Sequence, residues 1–177
     1  IYEWLIFKKN GKIKIDENKV KEFVNSLGSK YDTIFRKRVF KTSYGKEIEI
    51  SEGDYGWWMN RGQEVKDLIK LIKKGTVTDR EPVYYQKAAK YGTGDYGDTY
   101  VEINLTAQHL FVYKDGKIVL ESDFVSGKNT KKRNTPSGVF GITYKERDAT
   151  LVGEDYETPV SYWMPFNGSI GLHDATW

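Results

Sequence analysis

Apolar residues recur at helical spacing in two stretches of the first half of the chain. In the first stretch, which begins after the candidate N-cap Asp16 and which Gly28 can close, the apolar face consists of Val20, Phe23, Val24 and Leu27. The second stretch covers residues 63–74 and ends at two lysines and Gly75, and its apolar face consists of Val65, Leu68, Ile69 and Ile72. Both faces predict helices that pack against a sheet rather than ligand sites.

Short apolar runs predict antiparallel strands between and around these helices. Residues 4–7 and 13–15 flank Asn10-Gly11, a dipeptide that tolerates positive φ and therefore favours a hairpin turn. Two further runs lie at residues 35–41 and 47–50. The first half is therefore predicted to mix helices and strands.

Helical spacing disappears in the second half. The glycine-rich residues 90–98 suit neither a helix nor a strand, and they are the best candidate for a domain boundary. Beyond them, strands are predicted at residues 101–105, 109–113, 117–124, 139–144 and 160–166. The predicted class is α+β, with domains at residues 1–93 and 94–177, of which the second is mostly β.

The composition excludes several functions. The 177 residues are 38% hydrophobic and 30% charged, values typical of a folded globular protein. The net charge of +3 is too small and too evenly spread to predict nucleic-acid binding. The chain contains no cysteine, which excludes a cysteine nucleophile within these residues, and no apolar run has the length of a membrane span. With two histidines and no ligand spacing around them, neither a metal nor another cofactor is expected.

The two histidines lie in different patterns. His109 is part of a strand-like run, where a solvated or cross-strand histidine is the simplest interpretation. His173 follows Gly171-Leu172 and precedes Asp174, which fits a strand that opens into a site. A histidine in such a pattern, taken alone, is more often structural than a general base, so its role depends on its neighbours.

From Thr99 onward the chain resembles the catalytic domain of L,D-transpeptidases, often called the YkuD domain. The resemblance rests on the strands at residues 101–105 and 108–113, on the turn and strand at residues 135–140, and on Leu172-His173-Asp174. Residues 16–82 resemble the small domain that precedes it in many Gram-positive members. The resemblance implies an α+β protein in which a small mixed α/β, peptidoglycan-binding-type domain precedes a sandwich-like catalytic domain.

The sequence departs from this family in one respect that concerns the chemistry. The family's nucleophile is the cysteine of a Ser-His-Gly-Cys motif after the first histidine, and the sequence ends at Trp177 before any such motif. We therefore expect a catalytic domain that is incomplete at its C-terminal end, and we expect the 177 residues alone to be inactive. A reading frame that continues into the motif would support an enzyme, whereas a stop codon after Trp177 would support the alternative, a non-catalytic cell-wall-binding module.

The resemblance also implies a reaction. It implies a secreted acyltransferase of cell-wall biogenesis and cell shape, located in the cell wall or anchored outside the cytoplasm, that forms 3-3 cross-links between peptidoglycan stems with loss of D-alanine. Donor and acceptor stem peptides are the implied partners, carbapenem-type β-lactams the implied inhibitors, and a monomer the implied state. His173 would be the base, held in one tautomer by the backbone or the side chain of Asp174, and both alternatives stay open. The candidate pocket wall, each member of which can equally be a core residue, consists of Tyr162, Met164, Asn167 and Trp177.

Overall fold

The computed structural model describes residues 2–8, 10–92, 94–128, 130, 133–153 and 156–175. In chain order, the elements in these residues are a 3-10 turn Tyr2–Trp4, β1 Leu5–Phe7, β2 Ile13–Ile15, α1 Glu17–Tyr31, β3 Arg38–Lys41, β4 Glu47–Ile50, β5 Trp58–Met59, α2 Arg61–Lys74, β6 Tyr84–Gln86, β7 Tyr100–Asn104, β8 His109–Lys114, β9 Lys117–Asp123, β10 Glu146–Val152, β11 Glu157–Asn167 and β12 Ile170–His173. The strands pair antiparallel in three two-stranded ribbons, β1–β2, β3–β4 and β5–β6, and in two three-stranded sheets, β7–β8–β9 and β10–β11–β12. The predicted α+β class is confirmed.

The chain divides into two compact units, and neither is a continuous stretch of sequence. One unit consists of Ile1–Ile34 and Gly56–Gly97, and it contains both α-helices. The other unit consists of Phe35–Tyr55 and Asp98–Trp177. The β3–β4 hairpin therefore belongs to the same unit as the strands of the second half. The division into domains at residues 1–93 and 94–177 stays a prediction.

Helix α1 begins where the sequence predicts but ends later. The Asp16 carboxylate accepts two backbone N–H groups of the first turn at 3.2 and 3.4 Å, as an N-cap does. The expectation that Gly28 closes the helix is wrong, because α1 continues to Tyr31. A β-carbon on the buried Gly28 would lie 2.2 Å from Nε of Arg61, whose guanidinium binds Asp32 at 2.9 Å. The glycine therefore provides space for this arginine rather than a helix end.

Other local signals in the sequence are confirmed. Helix α2 ends at Gly75, which has a φ of 64° and donates its N–H to carbonyl oxygens of the last turn. The two dipeptides that favour hairpin turns, Asn10-Gly11 and Asp115-Gly116, both form them, with a φ of 74° at Gly11 and 75° at Gly116. These features depend on residues that are close in sequence, which is why the pattern predicts them.

The β3–β4 hairpin is attached to the β7–β9 sheet through a buried carboxylate. Glu102 on β7 accepts the backbone N–H of Ser43 at 3.0 Å and the Ser43 hydroxyl at 2.6 Å. The same hydroxyl lies 2.7 Å from the Tyr113 hydroxyl on β8. Beside this network, the rings of Phe40 and Tyr100 meet edge to face with centroids 6.0 Å apart. The β3–β4 hairpin is thus hydrogen-bonded to the β7–β9 sheet and packs against it.

The strand predicted at residues 139–144 is wrong. In this part of the described chain, Val139 makes a single parallel bridge with Gly53, in which it donates to the Glu52 oxygen at 3.0 Å and accepts the Tyr55 N–H at 3.1 Å. A β-carbon on Gly53, which has a φ of 103°, would lie 2.1 Å from the Val139 oxygen, so this approach requires glycine. The backbone N–H and carbonyl of Val139 therefore bind the segment after β4 and not a neighbouring strand.

Candidate active site

His173, the last residue of β12, is exposed and is held through one ring nitrogen. Its Nδ1 lies 2.7 Å from the backbone oxygen of Asp174. Because a carbonyl oxygen can only accept a hydrogen bond, Nδ1 carries the proton, and Nε2 of the neutral ring is left as the acceptor. An imidazole held in this tautomer can take a proton from a group placed at Nε2.

The carboxylate of Asp174 contacts strand β11 rather than the imidazole. It accepts the backbone N–H of Tyr162 at 2.8 Å and that of Ser161 at 3.1 Å, which extends the β11–β12 pairing past His173. These bonds, led by the one from Tyr162, hold the pKa of the Asp174 carboxyl below its usual value. Asp174 is thereby fixed next to His173, and of the two alternatives that the sequence left open, the geometry favours its backbone carbonyl.

Trp163 is a neighbour of His173 that was not among the residues predicted for the site. The two residues are directly opposite each other in the β11–β12 pair, and their ring centroids are 6.1 Å apart. Opposed residues of an antiparallel pair point to the same face, whereas successive residues along a strand alternate. Alternation along β11 was the signal available in the sequence, because it separates Trp163 from Tyr162 and Met164. The register with β12 then places Trp163 on the face of His173.

Tyr162 and Met164 line a cleft of about 280 Å³, and His173 is not among its lining residues. The rest of the lining consists of Lys145, Glu146 and Arg147. The guanidinium of Arg147 lies 5.5 Å from the centre of the Tyr162 ring, a cation–π contact. The structure therefore brings these two predicted wall residues together, on the face of β11 opposite to Trp163.

Asn167 lines a second cleft, of about 450 Å³. Residues 52–54, from the segment after β4, contribute to this cleft, and its other members are Asn134, Pro136, Ser137 and Phe140. The carboxylates of Glu52 and Asp54 were not anticipated, because the bridge that brings them here joins positions far apart in sequence. Trp177, the remaining predicted wall residue, lies outside the described residues.

His109 is part of a cross-strand ion pair, which confirms one of the two interpretations of its pattern. Its Nδ1 lies 2.7 Å from Oδ1 of Asp123, the opposed residue on β9, and its Nε2 lies 3.7 Å from Glu121. The hydrogen bond to Asp123 is the main reason that the pKa of His109 is raised. Within the described ranges of the chain, no group of three or more histidine, aspartate or glutamate side chains is placed to hold a metal ion.

Two sequence families match the chain. Residues 98–177 match the YkuD family, described as the L,D-transpeptidase catalytic domain. Residues 2–79 match a family described as "Putative peptidoglycan binding domain". Among the curated proteins, no match to the chain is found.

Solved structures of L,D-transpeptidases are similar to the chain. The crystal structure of a cysteine-to-serine mutant of the Enterococcus faecium L,D-transpeptidase shares 38% identity and a TM-score of 0.76, over 99% of this chain and 71% of that chain. The structure of the Ldtfm–avibactam carbamoyl enzyme shares 38% sequence identity with a TM-score of 0.76, over 100% of this chain and 70% of that chain. The NMR structure of the E. faecium catalytic domain acylated by ertapenem is 52% identical, over 46% of this chain and 66% of that chain, with a TM-score of 0.40.

Proposed function

Because the chain belongs to the L,D-transpeptidase family, we propose that it forms 3-3 cross-links in peptidoglycan by acyl transfer through a cysteine. A donor stem loses its terminal D-alanine, and its third residue is joined to an acceptor stem. The observation that carries the proposal is the contact between Nδ1 of His173 and the Asp174 carbonyl, which leaves Nε2 as a proton acceptor. The 177 residues contain no cysteine, so the nucleophile must come from outside them, and they should be inactive alone.

In the acylation step, Nε2 of His173 accepts the proton of the thiol, and the thiolate attacks the carbonyl carbon of the L,D-peptide bond. A carbon–sulfur bond forms, the carbon–nitrogen bond breaks, and the imidazolium gives its proton to the departing amino group of D-alanine. In the second step the acceptor amine attacks the thioester carbonyl carbon and loses a proton to Nε2. A carbon–nitrogen bond forms, the carbon–sulfur bond breaks, and the proton passes from Nε2 to the departing sulfur. The Asp174 carbonyl keeps Nδ1–H in place and stabilises the imidazolium formed in both steps.

The cleft to which Asn167 contributes is proposed to receive a stem peptide. Its volume, about 450 Å³, lies within the range for small-molecule sites, which suits a short peptide segment. Tyr162 and Met164 line the other cleft, on the face of β11 opposite to Trp163 and His173, so their place in the pocket wall is a proposal from the sequence alone. Trp177 stays a wall residue proposed from the sequence.

The unit that contains both helices is proposed to hold a monomeric enzyme on the cell wall, outside the cytoplasm. The family that matches residues 2–79 supports this role. Trp58 and Tyr85 form an aromatic pair with centroids 4.8 Å apart, exposed by 41% and 62%, and exposed rings can stack on sugar faces. The same pair favours the second candidate function, a non-catalytic wall-binding module. As far as the structure describes the chain, none of its helices has the length and apolar character to cross a membrane.

Acylation of the protein extended to include its cysteine segment tests the enzymatic proposal. Incubation with a carbapenem, or with avibactam, should add the mass of one inhibitor molecule, measured on the intact protein. The chain of 177 residues should form no adduct, since it has no thiol. A folded, extended protein that forms no adduct but sediments with purified peptidoglycan would support the wall-binding module instead.

The nature of the cross-link needs a separate measurement. With a purified disaccharide-tetrapeptide as both donor and acceptor, the extended protein should release one D-alanine for each dimer formed, as counted by mass spectrometry. Fragmentation of the dimer should place the new bond on the third residue of each stem. A product formed only by hydrolysis would contradict the assignment as a transpeptidase.

A further inference from the structure

Strand β11 supports His173 with three consecutive residues. The backbone N–H groups of Ser161 and Tyr162 hold the carboxylate of Asp174, and the carbonyl of Asp174 holds Nδ1 of the imidazole. The next residue of the strand is Trp163, which is opposite His173 in the pairing and lies against its ring. Residues 161–163 of β11 therefore support the hydrogen bond at Nδ1 and also supply the aromatic neighbour of the imidazole.

The indole of Trp163 lies over β12 at Gly171, beside the imidazole of His173. A β-carbon on Gly171, two residues before His173, would lie 2.7 Å from Cη2 of Trp163 and 2.7 Å from the backbone oxygen of Met164. No φ in the left-handed region requires a glycine at this position, so the close approach of the indole and of the β11 backbone is the reason for it. Gly171 thus leaves room on this face of β12 for the indole to lie beside the imidazole.

Trp163 is itself fixed in place. Its Nε1 donates to the Tyr144 hydroxyl at 3.3 Å, and the residue is 8% exposed in a cluster with Ala149, Val160 and Leu151. Packing in this cluster explains a buried tryptophan. It does not by itself explain why the ring lies over Gly171, next to an exposed histidine.

We propose that Trp163 is a positioning residue for His173, whose indole limits rotation of the imidazole so that Nδ1 stays on the Asp174 carbonyl. Without the indole, an exposed imidazole can adopt further side-chain rotamers, and water replaces the carbonyl as the partner of Nδ1. The inference rests on the proposed function only for the use made of Nε2. The tautomer itself is a property of the ring and is measured without substrate or nucleophile.

Nitrogen NMR of isotopically labelled imidazole rings tests this, because the chain has only two histidines. In Trp163→Leu, the ratio of Nδ1–H to Nε2–H tautomer of His173 should fall roughly fivefold, the factor for one hydrogen bond. Trp163→Phe retains an aromatic ring and should restore most of the ratio. His109, bound to Asp123 in the other sheet, should keep its signal and is an internal reference.

Two further variants complete the test. Trp58→Leu, the same change at a 41% exposed tryptophan, should leave both histidines unaltered. Tyr144→Phe removes only the hydroxyl that the indole binds, and it should lower the His173 ratio by about twofold. It decides the outcome if Trp163→Leu does not fold. An unchanged His173 ratio in the folded Trp163→Leu and Tyr144→Phe variants, or an equal change in Trp58→Leu, would overturn the proposal.

Discussion

The two three-stranded sheets each contain one histidine, and the two rings have opposite kinds of partner. In β7–β9, the carboxylate of Asp123 binds the imidazole of His109 directly. In β10–β12, the nearest carboxylate, that of Asp174, binds backbone N–H groups, and the imidazole of His173 binds a neutral carbonyl. A carboxylate partner favours the charged imidazolium, whereas a carbonyl fixes the tautomer without a full charge. The hydrogen-bond partner of each ring therefore indicates which of the two histidines suits the role of a general base.

The largest expected difference between the two histidines is in chemistry. In the protein extended to include its cysteine, His173→Gln removes the proposed base, and acylation by a carbapenem should slow by about 10²–10⁴-fold. His109→Gln removes only a cross-strand ion pair and should leave the rate within about twofold. Intact mass at timed intervals gives both rates. Equal losses in the two variants would contradict the assignment of the base to His173.

The carboxylate of Asp174 should have the next largest effect. Asp174→Ala removes two hydrogen bonds that place the carbonyl at Nδ1, and the acylation rate should fall roughly tenfold. Asp174→Asn retains one acceptor oxygen and should lose less. Full activity of Asp174→Ala would show that the carbonyl is placed without the carboxylate.

The lowered pKa of the Asp174 carboxyl predicts that the stability of the fold depends on pH. Its pKa is lowered in the folded chain, so its contribution is present above the unfolded pKa of about 3.9 and is lost as pH falls through the lower folded value. The melting temperatures of the unsubstituted chain and Asp174→Ala should therefore converge in strong acid. A difference that is constant with pH would contradict the role of the carboxylate.

In the β7–β9 sheet, the carboxylate of Glu102 likewise accepts hydrogen bonds that can be removed by a substitution. Ser43→Ala leaves the buried Glu102 without the hydroxyl at 2.6 Å, and the free energy of unfolding should fall by about 1–2 kcal/mol. Urea denaturation measures this loss. The control is Ser51→Ala, at an exposed serine with only a 3.5 Å contact to Glu52, which should have little effect. Similar losses in the two variants would argue against the attachment of the hairpin through Ser43.

The smallest expected effect is the contribution of His109 to stability. The pKa of His109 is raised by Asp123, so the contribution is complete below the unfolded pKa of about 6.5 and disappears as pH rises through the folded value. The difference in melting temperature between the unsubstituted chain and His109→Gln should be greatest in mild acid. Asp123→Asn should show the same trend. A difference that grows with rising pH would have the wrong sign for this ion pair.

Local features of the fold could be predicted from the sequence, and features that join distant segments could not. The Asp16 cap, the end of α2 at Gly75 and the turn at Gly116 each depend on a few neighbouring residues. The membership of the β3–β4 hairpin in the second unit depends on Glu102 and its partners, for which a local pattern gives no sign.

The candidate site follows the same division. His173 and Asp174 are adjacent, so a short motif indicated both, but the choice between the carbonyl and the carboxylate of Asp174 required the pairing of β11 with β12. The predicted helix end at Gly28 is wrong for a related reason. A glycine that favours a helix end locally can instead make space for a side chain from a distant segment, here that of Arg61.

The proposed role of His173 as a base depends on the tautomer of its neutral ring, which can be measured in the unsubstituted chain at neutral pH. Nitrogen NMR should find the proton of the neutral ring on Nδ1, with Nε2 unprotonated, because the Asp174 carbonyl can only accept. A neutral ring that carries its proton mainly on Nε2 would contradict the account, since that nitrogen would then be unable to accept a proton from a thiol.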